Sequence, residues 1–252
     1  MAFDIEILYE DEYIIAVDKP AGLPMHPNLD PQRENLVSVL EAELRARGEG
    51  LLKLGIHQRL DLGTSGAVVF SKSREANPSL ARQFAEHSAR KIYAALTDAV
   101  RLKQKNWECA FSLAEPLKRG GPVRWLKGAE SDEIKGKTAF KNALTQFALL
   151  KRGRGALLLQ AELKSGRKHQ IRAHLAAQKT PILGDELYRG SLRAERDGRI
   201  FVFGRPMLHA RYLQIVHPID GRLMEFKAPW PEDFRKACQF FEIELEELDV
   251  QT

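Results

Sequence analysis

His57-Gln58-Arg59-Leu60-Asp61-Leu62-Gly63-Thr64-Ser65-Gly66-Ala67-Val68-Val69-Phe70-Ser71 joins a polar, glycine-broken turn to a compact apolar run. Gly66 to Ser71 is β-branched and aromatic, short, and bounded by glycine, so it is predicted to be a strand. The turn before it holds one carboxylate, Asp61, among Arg59, Thr64 and Ser65. Arginine and hydroxyl donors near a carboxylate favour its ionised form, which a nucleophile or base requires. On these residues alone an Asp beside Thr-Ser-Gly is more often an ordinary turn or cap, with the catalytic use left open. Gly63 and Gly66 permit backbone turns that a β-carbon would hinder.

Working outward, Ile5–Tyr9 and Tyr13–Val17 are predicted strands around an acidic turn. The second runs into Asp18-Lys19-Pro20-Ala21-Gly22-Leu23-Pro24, where proline and glycine end it. Residues 35–46 place Leu36, Val37, Leu40 and Leu44 at helical spacing behind Asn35, a suitable cap. A helix over 75–88 and a strand over Lys91–Leu96 follow. Residues 101–137 are lysine-rich and broken by Gly120-Gly121-Pro122, so hairpins or loops are expected there. Further strands are predicted at 138–150, 155–164, 207–216 and 222–227, with a helix over 167–178. Between the last helix and strands lies a Gly- and Arg-rich loop, 184–206, and the acidic tail 242–252 reads as helical. Strands and helices do not alternate regularly, so the class is α+β. No linker interrupts the pattern, and residues 1–252 are expected to form a single domain with two lobes.

The net charge of the 252 residues is only +5, but it is unevenly spread. Residues 1–50 carry four basic and eleven acidic side chains, and 242–252 carry five acidic and no basic ones. The stretch 51–241 therefore holds +17. Such a segment either meets a polyanionic partner or is neutralised by the acidic ends folding back onto it. Two distant cysteines, Cys109 and Cys238, have no metal-ligand spacing and suit a reducing, cytoplasmic setting. No segment has the character of a signal peptide or a membrane span. A monomer is the default expectation.

The segments VDKPAGLPMHP, HQRLDLGTSG, ARKIYAAL, LKSGRKHQIRAHLAAQKTPILGDELYRG and MLHARYLQIVHPIDGRLMEFKAPWPEDF occur in the order and approximate spacing of the RluA family of pseudouridine synthases. The resemblance runs from about Ile5 to Phe234. It implies a mixed, mainly antiparallel curved sheet in two lobes, with flanking helices and a central active-site cleft. It further implies isomerisation of uridine to pseudouridine in tRNA or rRNA, with no cofactor and no metal. By the family's motifs Asp61 is the catalytic carboxylate, Tyr93 matches the Tyr of K-x-Y-x-A, and Arg172 matches the Arg of H-Q-I-R. Arg59 and Thr64 support the site, and Ile171 and Leu208 line the uracil pocket. Two positions depart from the pattern. Gln58 stands where most relatives have His, with His57 one step earlier, and Leu62 replaces a residue that is often charged.

Each residue also has a plainer use. Tyr93 on a strand can simply pack, Arg172 on a helix can be a surface charge, and Asp185 can fix a loop. Lys19 either contacts phosphate or is a solvated turn lysine. Residues 117–141 and 189–211 each carry a balance of +4 and are read as insert-like loops that grip an RNA backbone. Arg119, Arg124, Arg193 and Arg196 are the expected contacts, and Trp125 either stacks on a base or anchors its loop. Many relatives place a small RNA-binding domain before the catalytic one. This chain begins almost at the first catalytic strand, so recognition is expected from the inserts or a partner. Two further functions are compatible with the residues: a non-catalytic RNA-binding or ribosome-assembly protein, and a glycoside hydrolase using Asp61 and Asp185, which would need those carboxylates ~5–10 Å apart.

Overall fold

In the computed structural model, which describes residues 3, 5–26, 34–48, 53–98, 102, 104–118, 120–127 and 140–245, the Gly66–Ser71 run lies inside a strand buried along its whole length. This strand, β4 (Ser65–Ser71), pairs antiparallel with β2 (Ile14–Lys19), which pairs with the edge strand β1 (Glu6–Glu10). Val68 and Phe70 join Ile15 and Val17 in one apolar cluster, while Ala67 and Val69 join Ile14 and Ala16 in another. Strands covered on both faces need continuous apolar runs rather than alternation, which is why this segment reads so clearly.

The larger cluster is closed by α1 (Leu36–Ala46) through Leu36, Leu40 and Leu44. Asn35 caps this helix: its side chain accepts from Ser38 N at 3.1 Å, and its own N–H donates to Ser38 Oγ at 3.3 Å. On the opposite face lies α2 (Ala76–Ala85), which buries Ala76, Leu80 and Phe84. The short β3 (Gly55–Ile56) leads into the Asp61 turn and pairs with β4.

The second half of the sheet runs outward from β5 (Arg90–Thr97) through two later strands. These are β10 (Leu157–Leu163) and β9 (Thr145–Arg152), and β6 (Asn106–Cys109) forms the edge. The halves are joined by β13 (Leu208–Val216), which is antiparallel to β5 and to β14 (Leu223–Lys227) but parallel to β4. The result is a ten-stranded mixed, mainly antiparallel sheet. Two hairpins, β7–β8 (Ser112–Ala114 and Arg124–Leu126) and β11–β12 (Arg193–Arg196 and Arg199–Val202), stand apart from it. Two further helices, α3 (Gln170–Ala177) and α4 (Glu232–Phe240), complete the described elements.

Gly66 makes the parallel junction possible. Its φ is +124°, and a β-carbon there would come within 2.3 Å of the Ala210 carbonyl oxygen. Only glycine allows β4 and β13 to approach so closely at their starts.

Four expectations shift. The strand predicted from 138 begins at Thr145, because Lys141 makes only a bridge with Leu113. The helix predicted from 167 starts at Gln170, since His169 is left-handed with φ 52°. The 184–206 loop contains the β11–β12 hairpin. The acidic tail is not helical over 242–245; the helix is α4, which precedes it, and 246–252 lie outside the described residues. Glu242 instead folds back onto Arg196 and Arg154, so part of the basic charge is compensated internally.

Two histidines are buried as neutral rings. His174 Nε2 donates to the Phe111 carbonyl at 3.2 Å, leaving Nδ1 to accept from the Thr145 hydroxyl at 2.9 Å. His209 Nδ1 lies 2.9 Å from Ser65 Oγ. Burial pushes His174 from 6.5 down to about 4; burial, with Arg205 nearby, pushes His209 down to about 3. Their folded pKa values lie below the unfolded one, so the unfolded chain binds more protons between those limits. Stability from these groups is therefore complete above about pH 6.5 and declines as pH falls toward 4 and then 3. Urea unfolding should show a falling midpoint across that window, and histidine ring NMR should find two rings still neutral at pH 5. Titration of His174 or His209 itself near 6.5 would contradict this assignment.

Candidate active site

The turn that carries Asp61 is pinned on three sides. Thr64 N donates to the Asp61 carbonyl at 3.0 Å, and Gly22 N, from the loop after β2, donates to Leu62 O at 2.8 Å. On the third side, Arg205 Nη1 donates to the carbonyls of Gly63 and Leu208, each at 3.1 Å. Arg205 is itself held by both oxygens of Asp233 at the start of α4, at 2.6 and 2.8 Å. The Asp61 backbone is thus tied to β2, β13 and α4 together.

Its side chain meets Arg172 on α3, whose Nη1 donates to Asp61 Oδ2 at 3.0 Å. The other edge of the same guanidinium donates Nε and Nη2 to the two oxygens of Asp185, at 2.7 and 2.8 Å. Asp185 is fully buried. Its carbonyl accepts from Tyr188 N and Gly190 N, which shapes the short 3-10 turn Glu186–Tyr188. Arg172 also lies 5.1 Å above the Tyr188 ring. Burial would weaken the charge on Arg172, but hydrogen bonds and attraction from Asp185 and Asp61 outweigh it and raise its pKa.

His169 closes the other side, with Nε2 3.8 Å from Asp61 Oδ1 and Nδ1 3.1 Å from the Tyr188 hydroxyl. Burial lowers its pKa against the pull of Asp61. Tyr93 projects from β5 into the same space, and burial with Asp61 nearby raises its pKa, so the phenol stays protonated. Thr64, Ile171 and Leu208, all buried, line the same cleft of about 780 Å³, and Arg59 stands exposed at its rim. The expected group Asp61, Tyr93, Arg172, Thr64, Ile171, Leu208 and Arg59 therefore surrounds one cavity. His57 also faces it but is engaged by Ser71 Oγ at 2.9 Å and stacked on Phe84.

The RNA-backbone expectations fare differently. Lys19 is fully buried and donates to the carbonyls of Pro20 and Leu23 at 2.7 and 2.9 Å, so it is a loop brace and not a phosphate contact. Burial, with Arg205 nearby, brings its pKa down to about 7. Arg196 is likewise corrected: it donates to the Phe240 carbonyl and pairs with Glu242 and Asp197. Arg124 is half-buried, donating to the Glu115 carbonyl at 3.3 Å and lying over Phe140. Arg193 is exposed on β11, and Arg119 falls outside the described residues, as does most of 117–141. Trp125 is partly exposed on β8. Asp185 cannot serve as a second catalytic acid, because Arg172 stands between it and Asp61 and occupies both its oxygens. That geometry removes the glycoside hydrolase.

Residues 13–177 match the family profile described as RNA pseudouridylate synthase. The chain is 31% identical to the Bacillus subtilis RNA pseudouridine synthase YhcT over 94% of this chain and 72% of that one. The chain belongs to the RluA family of RNA pseudouridine synthases. It is accordingly an isomerase acting on uridine in RNA. Ribosomal large subunit pseudouridine synthase D of Zymomonas mobilis is 33% identical, covering 92% of this chain and 71% of that one. Two human structures share the pseudouridine synthase fold. RNA pseudouridylate synthase domain containing 4 aligns with TM-score 0.73 at 21% identity, over 95% of this chain and 94% of that one. Domain containing 1 aligns with TM-score 0.67 at 24% identity, over 90% and 84%. No helix among the described residues is long and apolar enough to cross a membrane.

The motifs missed two partners of this synthase's site, His169 and Tyr188. His169 opens the H-Q-I-R motif that carries Arg172, but it sits before the first turn of α3 in a left-handed conformation, so helical spacing does not reveal its place beside Asp61. Tyr188 offered no signal beyond its place in GDELYRG.

Proposed function

We propose that Asp61 is the catalytic carboxylate of this pseudouridine synthase and that its substrate is a uridine of large-subunit ribosomal RNA. The observation that carries the first part is the Asp61–Arg172–Asp185 array, with Asp61 opening into a cleft that Tyr93, Ile171 and Leu208 also line. The second part is supported by the relatives named ribosomal large subunit pseudouridine synthase D.

The reaction breaks the bond from ribose to uracil N1, turns the base and joins ribose to C5; C5 then gives up its proton and N1 ends with one, so the composition is unchanged. Asp61 can assist by attacking the base, by attacking the sugar, or by removing a sugar proton. In each case its negative charge is consumed while Arg172 remains charged. Asp185 answers that change: its bidentate pair holds the guanidinium in place and keeps it balanced. Tyr93 offers an aromatic wall for an extruded uracil, with base stacking worth roughly 1–3 kcal/mol. Ile171 and Leu208 keep water from the detached base.

Comparing pseudouridine maps of ribosomal RNA from cells with and without this protein tests the substrate. One or more large-subunit positions should revert to uridine. Unchanged ribosomal RNA with a lost site in tRNA would move the substrate to tRNA and leave the chemistry standing.

A further inference from the structure

Beyond Asp61 the cleft continues along β5 to a second region that the isomerisation does not use. Lys91 lies two residues before Tyr93, and side chains two apart on a strand share a face; both line the cleft. Lys91 is only 7% exposed, with its ammonium 5.7 Å from the centre of the Phe84 ring. Among the described residues no carboxylate pairs with it. The acid on the neighbouring strand, Glu162, is taken by Arg90 at 3.2 Å and by Lys164. A sequestered cation without a counter-charge is costly unless something anionic arrives, and burial accordingly lowers its pKa.

Neighbouring residues add positive charge and leave the place open. Arg167 lines the same cleft and spends only its Nε on the Asn142 carbonyl, at 3.2 Å. Exposed His87 stands at the lip. Glu115, the other carboxylate of the cleft besides Asp61, faces Lys168 at 3.8 Å. Gly166 is not in a left-handed conformation, so its backbone does not demand glycine, yet a β-carbon there would sit 3.9 Å from the Lys91 ammonium. The missing side chain leaves Lys91 approachable from the cleft.

We propose that this end of the cleft, built by Lys91, Arg167 and Gly166 against Phe84, is a phosphate subsite for the nucleotide next to the target uridine. It rests on the uridine being held at Asp61. The two-residue step along β5 from Tyr93 to Lys91 spans about 7 Å, comparable to one nucleotide of extended backbone. A phosphate there would meet two cations and no acid, so the contact fixes the register of the strand without reading its bases.

The probe is a fluorescent single-stranded oligouridylate, bound at several salt concentrations to wild type and to Lys91→Met, which keeps the apolar stem. The variant should bind about tenfold more weakly, with the slope of log affinity against log salt shallower by about one. Arg167→Gln, at a partly exposed position, should act in the same direction but less. Wild type should lose the same affinity toward an oligouridylate whose linkages are uncharged methylphosphonates, and that measurement stands even if Lys91→Met does not fold. Unchanged affinity and slope in a folded Lys91→Met protein, full affinity for the uncharged probe, or no binding of oligouridylate by wild type would each overturn the subsite. An Asp61→Asn protein that still turned over uridine would instead remove the catalytic assignment and leave these binding measurements intact.

Discussion

Asp61→Asn protein is expected to lose release of tritium from carbon-5-labelled uridine in RNA by about 10⁴-fold or more, the scale seen when a reacting side chain is removed. Asparagine keeps the volume of the side chain and one oxygen that can accept from Arg172 Nη1, so the turn held by Thr64, Gly22 and Arg205 should stay in place. It cannot act as nucleophile or base in any of the three routes. The loss should therefore appear in kcat, with RNA affinity and Tm close to wild type. The Arg172–Asp185 pair does not depend on Asp61, which is why folding should survive. Residual release above about one per cent of wild type would mean that another group performs the chemistry. His169, whose Nε2 lies 3.8 Å from Asp61 Oδ1, would be the first to examine.

What could be read before the structure follows the range of the forces involved. The Asn35 cap, the leucines of α1 four residues apart and the strand Gly66–Ser71 depend on near neighbours, and local sequence shows them. The site residues were legible because Asp61, Tyr93 and Arg172 sit in long motifs. Side-chain partners distant in sequence were not. Lys19 in a Pro-Gly turn looks solvated, and nothing in VDKPAG says that the loop folds its ammonium beneath itself onto two carbonyls. Arg196 looks like an RNA contact until Glu242 and Phe240 come to meet it. The acidic tail, counted as a flank, is at Glu242 an internal counter-ion. Charge counted along a chain therefore overstates the charge offered to a polyanion.

Asp185 is where stability and chemistry can be separated. Asp185→Ala strands a buried guanidinium with one carboxylate among the described residues, Asp61, which is itself partly open to solvent. Breaking one side of a buried ion pair costs about 3–5 kcal/mol, which for a chain of this size lowers Tm by roughly 10 °C. The freed guanidinium would also turn fully toward Asp61, so tritium release should fall together with stability. Replacing both partners, as Arg172→Leu with Asp185→Leu, removes the unpaired charge as well as the pair. That double variant should recover most of the lost Tm, because apolar side chains of similar volume are often as stable as a buried ion pair. Activity should not recover, since Asp61 would then face leucine in place of its cation. If the double variant regained turnover along with its Tm, Arg172 and Asp185 would be structural braces of α3, and the chemistry would belong to Asp61 without them.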